Sequence, residues 1–94
     1  MNKDELIAAV REETGFTRAN VESVLLSTMD TIAKELQRGN EIRIKGFGSF
    51  HMKYRAGRTG QNMKSGGTVN IPAVFVPVFE AGKYLKEKTV RVAE

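Results

Sequence analysis

The chain has 94 residues, enough for one domain, with no cysteine and a single histidine, which excludes a disulfide framework, a thiolate metal site and most histidine-based catalysis. Its net charge of +4 is uneven: residues 1–40 hold five bases against seven acids (net −2), and residues 41–94 hold ten against four (net +6). The first apolar stretch, MNKDELIAAVREE, is broken by charges and no apolar run reaches the roughly 18 residues of a membrane span, so the chain reads as soluble and cytosolic, with no signal peptide and no membrane partner.

The first element is a helix. Asn2 stands at the N-cap with Glu5 three residues on, the capping-box spacing. Leu6, Ile7 and Val10 form a short apolar stripe, and Thr14-Gly15 ends it at a residue that tolerates positive φ. Thr17 caps a second helix, with Phe16 and Val21 at the two positions of a hydrophobic staple. Val21, Val24, Leu25, Thr28, Met29, Ile32 and Leu36 follow the 3-4 spacing of one buried face, and Gly39 closes the helix. Residues 1–40 thus predict an αα-hairpin base.

From Glu41 the period changes to two. Ile42 and Ile44 alternate with Arg43 and Lys45, Gly46-Phe47-Gly48 is a tight turn, and Phe50, Met52 and Tyr54 alternate with Ser49, His51, Lys53 and Arg55. Both strands put basic or polar residues outward, so several cations share one face of a sheet. Residues 56–73, AGRTGQNMKSGGTVNIPA, are punctuated by Gly57, Gly60, Gly66 and Gly67, with Val69 and Ile71 alternating in a returning strand. This stretch reads as a long hairpin arm over about 55–74, tip near Asn62–Gly67, against the alternative of a disordered loop.

Val74–Phe79 (VFVPVF) is nearly all apolar and predicts a buried strand, with Pro77 at an edge or bulge. A short helix follows over roughly Gly82–Lys88, the last element of the 81–94 segment, with Lys83 and Lys86 three apart. Those lysines suit a phosphate or are two solvated charges.

No acid lies between Glu41 and Glu80, whereas Arg43, Lys45, Lys53, Arg55, Arg58 and Lys64 do. One-sign enrichment over such a length suits a polyanionic partner, against the alternative of a basic face with none. Without the arm only about 75 residues remain to make a core, a marginal number. The apolar inventory is too rich for so small a monomer. A two-layer arrangement leaves one side open, and a symmetric partner is the simplest cover. Val24, Leu25, Met29, Ile32, Leu36, Ile44, Phe47, Phe50 and Phe79 are the expected dimer core. The fold class is α+β. With no pair of carboxylates in the basic half apart from the flanking Glu41 and Glu80, and no nucleophile beside an evident base, no enzyme activity is expected, and no cofactor, metal or small-molecule substrate.

MNKDELI at the N-terminus, GFGSF at Gly46–Phe50, RTGQN at Arg58–Asn62 and VPVFEAGKYLK at Val76–Lys86 occur in one order over the whole chain. In this the chain resembles the bacterial histone-like HU and integration-host-factor family of DNA-bending proteins. The resemblance implies an intertwined dimer with a helical base, a small antiparallel sheet and two β-ribbon arms that enter the minor groove. It implies sugar and phosphate contacts from Lys53, Arg55, Arg58 and Lys64, a tip polar residue at Asn62, body contacts from Lys3, Lys83 and Lys86, and backbone contacts from the turn at Gly46. Arg43, Lys45 and Gln61 complete the candidate DNA-binding set. The family's tip proline is Met63 here, which either wedges between base pairs as a softer insert or lies in the groove. Gln61, Gly67 and Asn70 stand where the family is often basic, so fewer counterions are released and the salt dependence is shallower.

The implied function is architectural: binding, bending and compacting double-stranded DNA in the bacterial nucleoid, with little sequence preference and a taste for nicked, gapped or junction DNA. The homodimer is favoured over a heterodimer. A site-selective integration-host-factor type of subunit and a nucleoid protein that bridges DNA without bending it remain the alternatives.

Overall fold

A computed structural model describes residues 1–61 and 67–93 of the chain. Helix α1 spans Lys3–Thr14. The Asn2 side chain accepts a hydrogen bond from the Glu5 backbone N–H at 2.8 Å, which satisfies one donor that the first turn leaves without a partner. Gly15 ends α1 at φ 77°, and its N–H donates to the Arg11 carbonyl. Helix α2 spans Arg18–Gln37. Thr17 caps it by accepting from the Asn20 N–H at 3.2 Å. At the other end the Asn40 N–H reaches back to the Glu35 carbonyl and the Gly39 N–H to that of Leu36, at 2.9 and 3.0 Å. This is the Schellman closure, and it uses the positive φ of Gly39.

The described residues divide into two units, Met1–Lys34 and Glu35–Glu94. In the first, an ion pair between Arg18 and Asp4 at 2.9 Å ties the start of α2 to that of α1. Ile7 and Val21 are buried there. Beside them runs an apolar groove of about 580 Å³, lined by Leu6, Val10, Phe16, Val24, Leu25 and Thr28 among others. Val21, Val24, Leu25 and Thr28 of its walls belong to the α2 stripe that the spacing predicts as buried, yet Val24 is 66% exposed, and Met29, farther along the same stripe, 47%.

The second unit holds the end of α2, five strands and a short helix. Strands β1 (Ile42–Ile44), β2 (Gly48–Arg55) and β5 (Val74–Ala81) form an antiparallel sheet in the order β1-β2-β5. Strands β3 (Arg58–Gln61) and β4 (Thr68–Ile71) form a separate two-stranded ribbon. Helix α3 covers Lys83–Thr89, one residue later than expected, because Gly82 is its extended N-cap.

Register assigns the faces of the main sheet. Phe50 pairs with both Ile42 and Phe79, Met52 with Pro77 and Tyr54 with Phe75, so these residues share one face. Phe50 and Phe79 lie 4.8 Å apart between ring centroids, Tyr54 and Phe75 5.5 Å, and Phe47 reaches Phe79 at 5.4 Å. Each such pair contributes about 0.5–1.5 kcal/mol beyond its burial.

The expectation of a buried β5 needs correction. Phe75 is 67% exposed and Phe79 42%. β5 is an edge strand, so it has one hydrogen-bonded neighbour, and its apolar side chains lack an apolar layer over them in the single chain. Pro77 accordingly sits where a missing N–H is tolerated. Among the described residues only Ile7, Val21 and Leu36 are buried hydrophobics.

Candidate nucleic-acid interface

The opposite face of the main sheet follows from the same alternation. Ser49, His51, Lys53 and Arg55 lie along it on β2, Arg43 joins from β1 opposite Ser49, and Glu80, Val78, Val76 and Val74 come from β5. The same-sign row therefore belongs to β1 and β2 alone, and β5 contributes valines and one carboxylate. Lys53 and Arg55 are exposed and make no ion pair among the described residues. Arg43 touches Glu41 at 3.3 Å, with the guanidinium side chain 78% exposed, so the contact contributes little and leaves the cation available.

At one end of this face is a shallow cleft of about 620 Å³. It is lined by Arg43, Lys45, Gly46, Ser49, Glu80 and Gly82 together with Ile44, Gly48 and Ala81. Backbone packing forms it. The Gly82 N–H donates to the Phe47 carbonyl at 2.8 Å, and a Cβ at Gly82 would stand 3.1–3.2 Å from the backbone of Phe47 and Gly48. A Cβ on Gly48 would meet the Glu80 carbonyl oxygen at 2.4 Å and the Phe79 ring at 2.7 Å. Glycine is required there by space, because backbone atoms cannot swing aside. The GFGSF motif thus locks the β1–β2 turn against the end of β5 and the Gly82 cap of α3, and it brings Arg43, Lys45 and Gly46 together beside Gly82.

Lys83 stands 3.9 Å from Glu87 with its side chain 91% exposed, a weak surface pair. Lys86 is exposed without an ion pair among the described residues, and Lys88 lies over the Tyr84 ring at 4.8 Å. Lys3 opens α1 in the other unit.

In the ribbon, Arg58 pairs with Ile71, Thr59 with Asn70, Gly60 with Val69 and Gln61 with Thr68. Arg58, Gly60, Val69 and Ile71 therefore share a face, and Thr59 and Asn70 lie on the other. Two short breaks, Ala56-Gly57 and Pro72-Ala73, separate the ribbon from β2 and β5. The tip residues Asn62, Met63 and Lys64 lie outside the described residues, and the wedge assignment with them.

The sequence reading passed over Glu80 and Gly82 as parts of this site. Glu80 was detectable, since the residue after the apolar Phe79 must face the polar side. Gly82 was not, because its role depends on a turn more than thirty positions earlier.

Residues 1–89 match the family described as bacterial DNA-binding protein. The chain belongs to that family. It is 45% identical to the DNA-binding protein HRL18 of Rhizobium leguminosarum over 93% of this chain and 96% of the relative. It is also 45% identical to the integration host factor subunit beta of Laribacter hongkongensis, over 94% and 90%. Among solved structures, an Anabaena HU–DNA cocrystal matches with a TM-score of 0.89 at 40% identity, covering 94% of this chain and 96% of that one. HU from Thermotoga maritima matches with a TM-score of 0.68 at 31% identity, over 96% and 100%. Three helices with antiparallel body and ribbon strands are the HU-type α+β fold.

Proposed function

We propose that two copies of this chain form one DNA-binding body that bends duplex DNA with little regard to sequence. The observation that carries this reading is the sheet register, which sets Arg43 of β1 and Lys53 and Arg55 of β2 on one face, with the ribbon continuing from β2 and β5 beyond short breaks. Cations on such a face neutralise phosphates and release counterions, giving affinity that is independent of sequence and falls steeply with salt. Two ribbons, one from each protomer, suit a minor groove, whose code is degenerate. The HU–DNA cocrystal among the relatives supports the same partner.

A dimer follows from the exposed apolar surface. An α2 stripe with Val24 66% exposed and a sheet face with Phe75 67% exposed are not the surfaces of a lone soluble chain. A second copy covers both by symmetry. Val24→Glu places a charge in that interface and should lower stability by about 2 kcal/mol or more, with a melting temperature that falls on dilution. A melting temperature independent of protein concentration in wild type and variant would sink the dimer.

The protein acts as a non-catalytic component of the bacterial nucleoid, in the cytoplasm. No helix among the described residues is long and apolar enough to cross a membrane. The decisive experiment is end-to-end energy transfer on intact and nicked duplexes of about 30 base pairs. Bending shortens the distance, most on nicked DNA. Binding with the distance unchanged would leave only the bridging alternative. The 45% identity to an integration host factor subunit favours a second reading, site-selective binding with a second kind of subunit. A preference of about a thousandfold or more for one sequence over random duplex would establish it.

A further inference from the structure

We infer that His51 is a proton-gated phosphate contact, so that DNA binding takes up a proton at this residue. This rests on the polar sheet face being the one that meets DNA. His51 sits in the middle of that face, between Ser49 and Lys53 on β2, directly opposite Val78 on β5. Each same-face step is two residues along the strand, about 6.8 Å, so His51 fills the gap in the row between the Arg43–Ser49 pair and Lys53. The charged groups sharing its face are Lys53 and Arg55 on its own strand, Arg43 on β1, and Glu80 on β5, diagonal to it beside Ser49.

His51 is half-buried, and its ring makes no hydrogen bond or ion pair among the described residues. A neutral ring in this row is a gap in the charge. A ring that takes one proton from solvent has N–H donors on both nitrogens and completes a run of cations. A phosphate oxygen stabilises the protonated form, so the complex holds the proton to higher pH than the free protein does. The added affinity is present in full on the acid side of the range where histidine titrates, between about pH 5 and 8, and is lost on the alkaline side.

His51 is the only histidine in the chain, so its imidazole proton resonances are unambiguous. In the full-length protein the NMR titration midpoint of that signal should move to higher pH when a random-sequence duplex is added. An unchanged or lowered midpoint on a demonstrably bound duplex overturns the inference and leaves DNA binding intact. Affinity for the same duplex, measured at fixed salt, should rise roughly tenfold from pH 8 to pH 5.5, the scale of two exposed charge pairs in a dimer. The salt slope should steepen by about 1.8, or 0.9 for each of two protomers. His51→Gln should bind with the weaker, alkaline-type affinity at both pH values, and His51→Lys with the stronger one at both. A wild-type pH profile retained in His51→Gln overturns the inference. Failure of the wild type to bind duplex at any pH would instead remove the proposed function, and this inference with it.

Discussion

The main sheet and the ribbon are both antiparallel and both glycine-bearing, but their glycines do different work. In the main sheet, Gly48 is buried and backbone atoms close around it: an added Cβ would meet the Glu80 carbonyl oxygen at 2.4 Å. In the ribbon, a Cβ on Gly60 would meet only the Ile71 Cδ1 methyl at 3.3 Å and a Val69 methyl at 3.8 Å. Gly57, at the break between the two, is intermediate in kind: its neighbours are backbone atoms, the Ile71 carbonyl oxygen at 2.9 Å and the Ala73 nitrogen at 3.0 Å. A sheet held by close backbone approach has one arrangement. A ribbon whose contacts are flexible side-chain ends can adapt to a ligand at small cost. The body is built to be fixed and the ribbon to be fitted.

Four substitutions test this contrast. Gly48→Ala should be the most damaging, at about 3 kcal/mol, because relief requires moving β5. In thermal denaturation that is a loss of roughly 15 °C, and a loss of only a few degrees would break the contrast. Phe79→Ala removes the ring shared by Phe47 and Phe50 and should cost about 2–3 kcal/mol, read as an earlier midpoint in urea. Gly57→Ala should cost about 1 kcal/mol and act locally. Amide exchange in β3 and β4 should speed up while the main sheet keeps its protection, and equal loss in both would show that the break does not separate them. Gly60→Ala should change stability by less than about 0.5 kcal/mol and show itself, if anywhere, in DNA bend angle.

The helix ends were legible in the sequence because their causes are local. Asn2, Thr17, Gly15 and Gly39 each act within five residues of the helix they cap, and side-chain chemistry at that range is readable from one strip of chain. The two faces of β2 were legible through the period of two. The arm was legible as a hairpin from its glycines, although the break that makes it a separate sheet was not. What escaped depends on pairing across the arm. β2 meets β5 from Gly48↔Ala81 to Arg55↔Val74, and no local rule gives that register. It decides that valines and Glu80, rather than further cations, complete the polar face. The run VFVPVF misled for a related reason: its composition says that it wants burial, and only the assembled sheet says that the chain alone does not supply it.

The two edges of the main sheet carry a further consequence. β1 is only three residues long, and β5 is interrupted by Pro77 at its middle, where no N–H is available to an incoming strand. An exposed strand edge is a template on which another chain can pair and aggregate, a hazard that grows with local concentration. Here neither edge offers an uninterrupted ladder of useful length. Crowding along a chromosome should therefore yield a reversible coat, and the aromatic, valine-rich β5 is kept from becoming the seed of an irreversible aggregate.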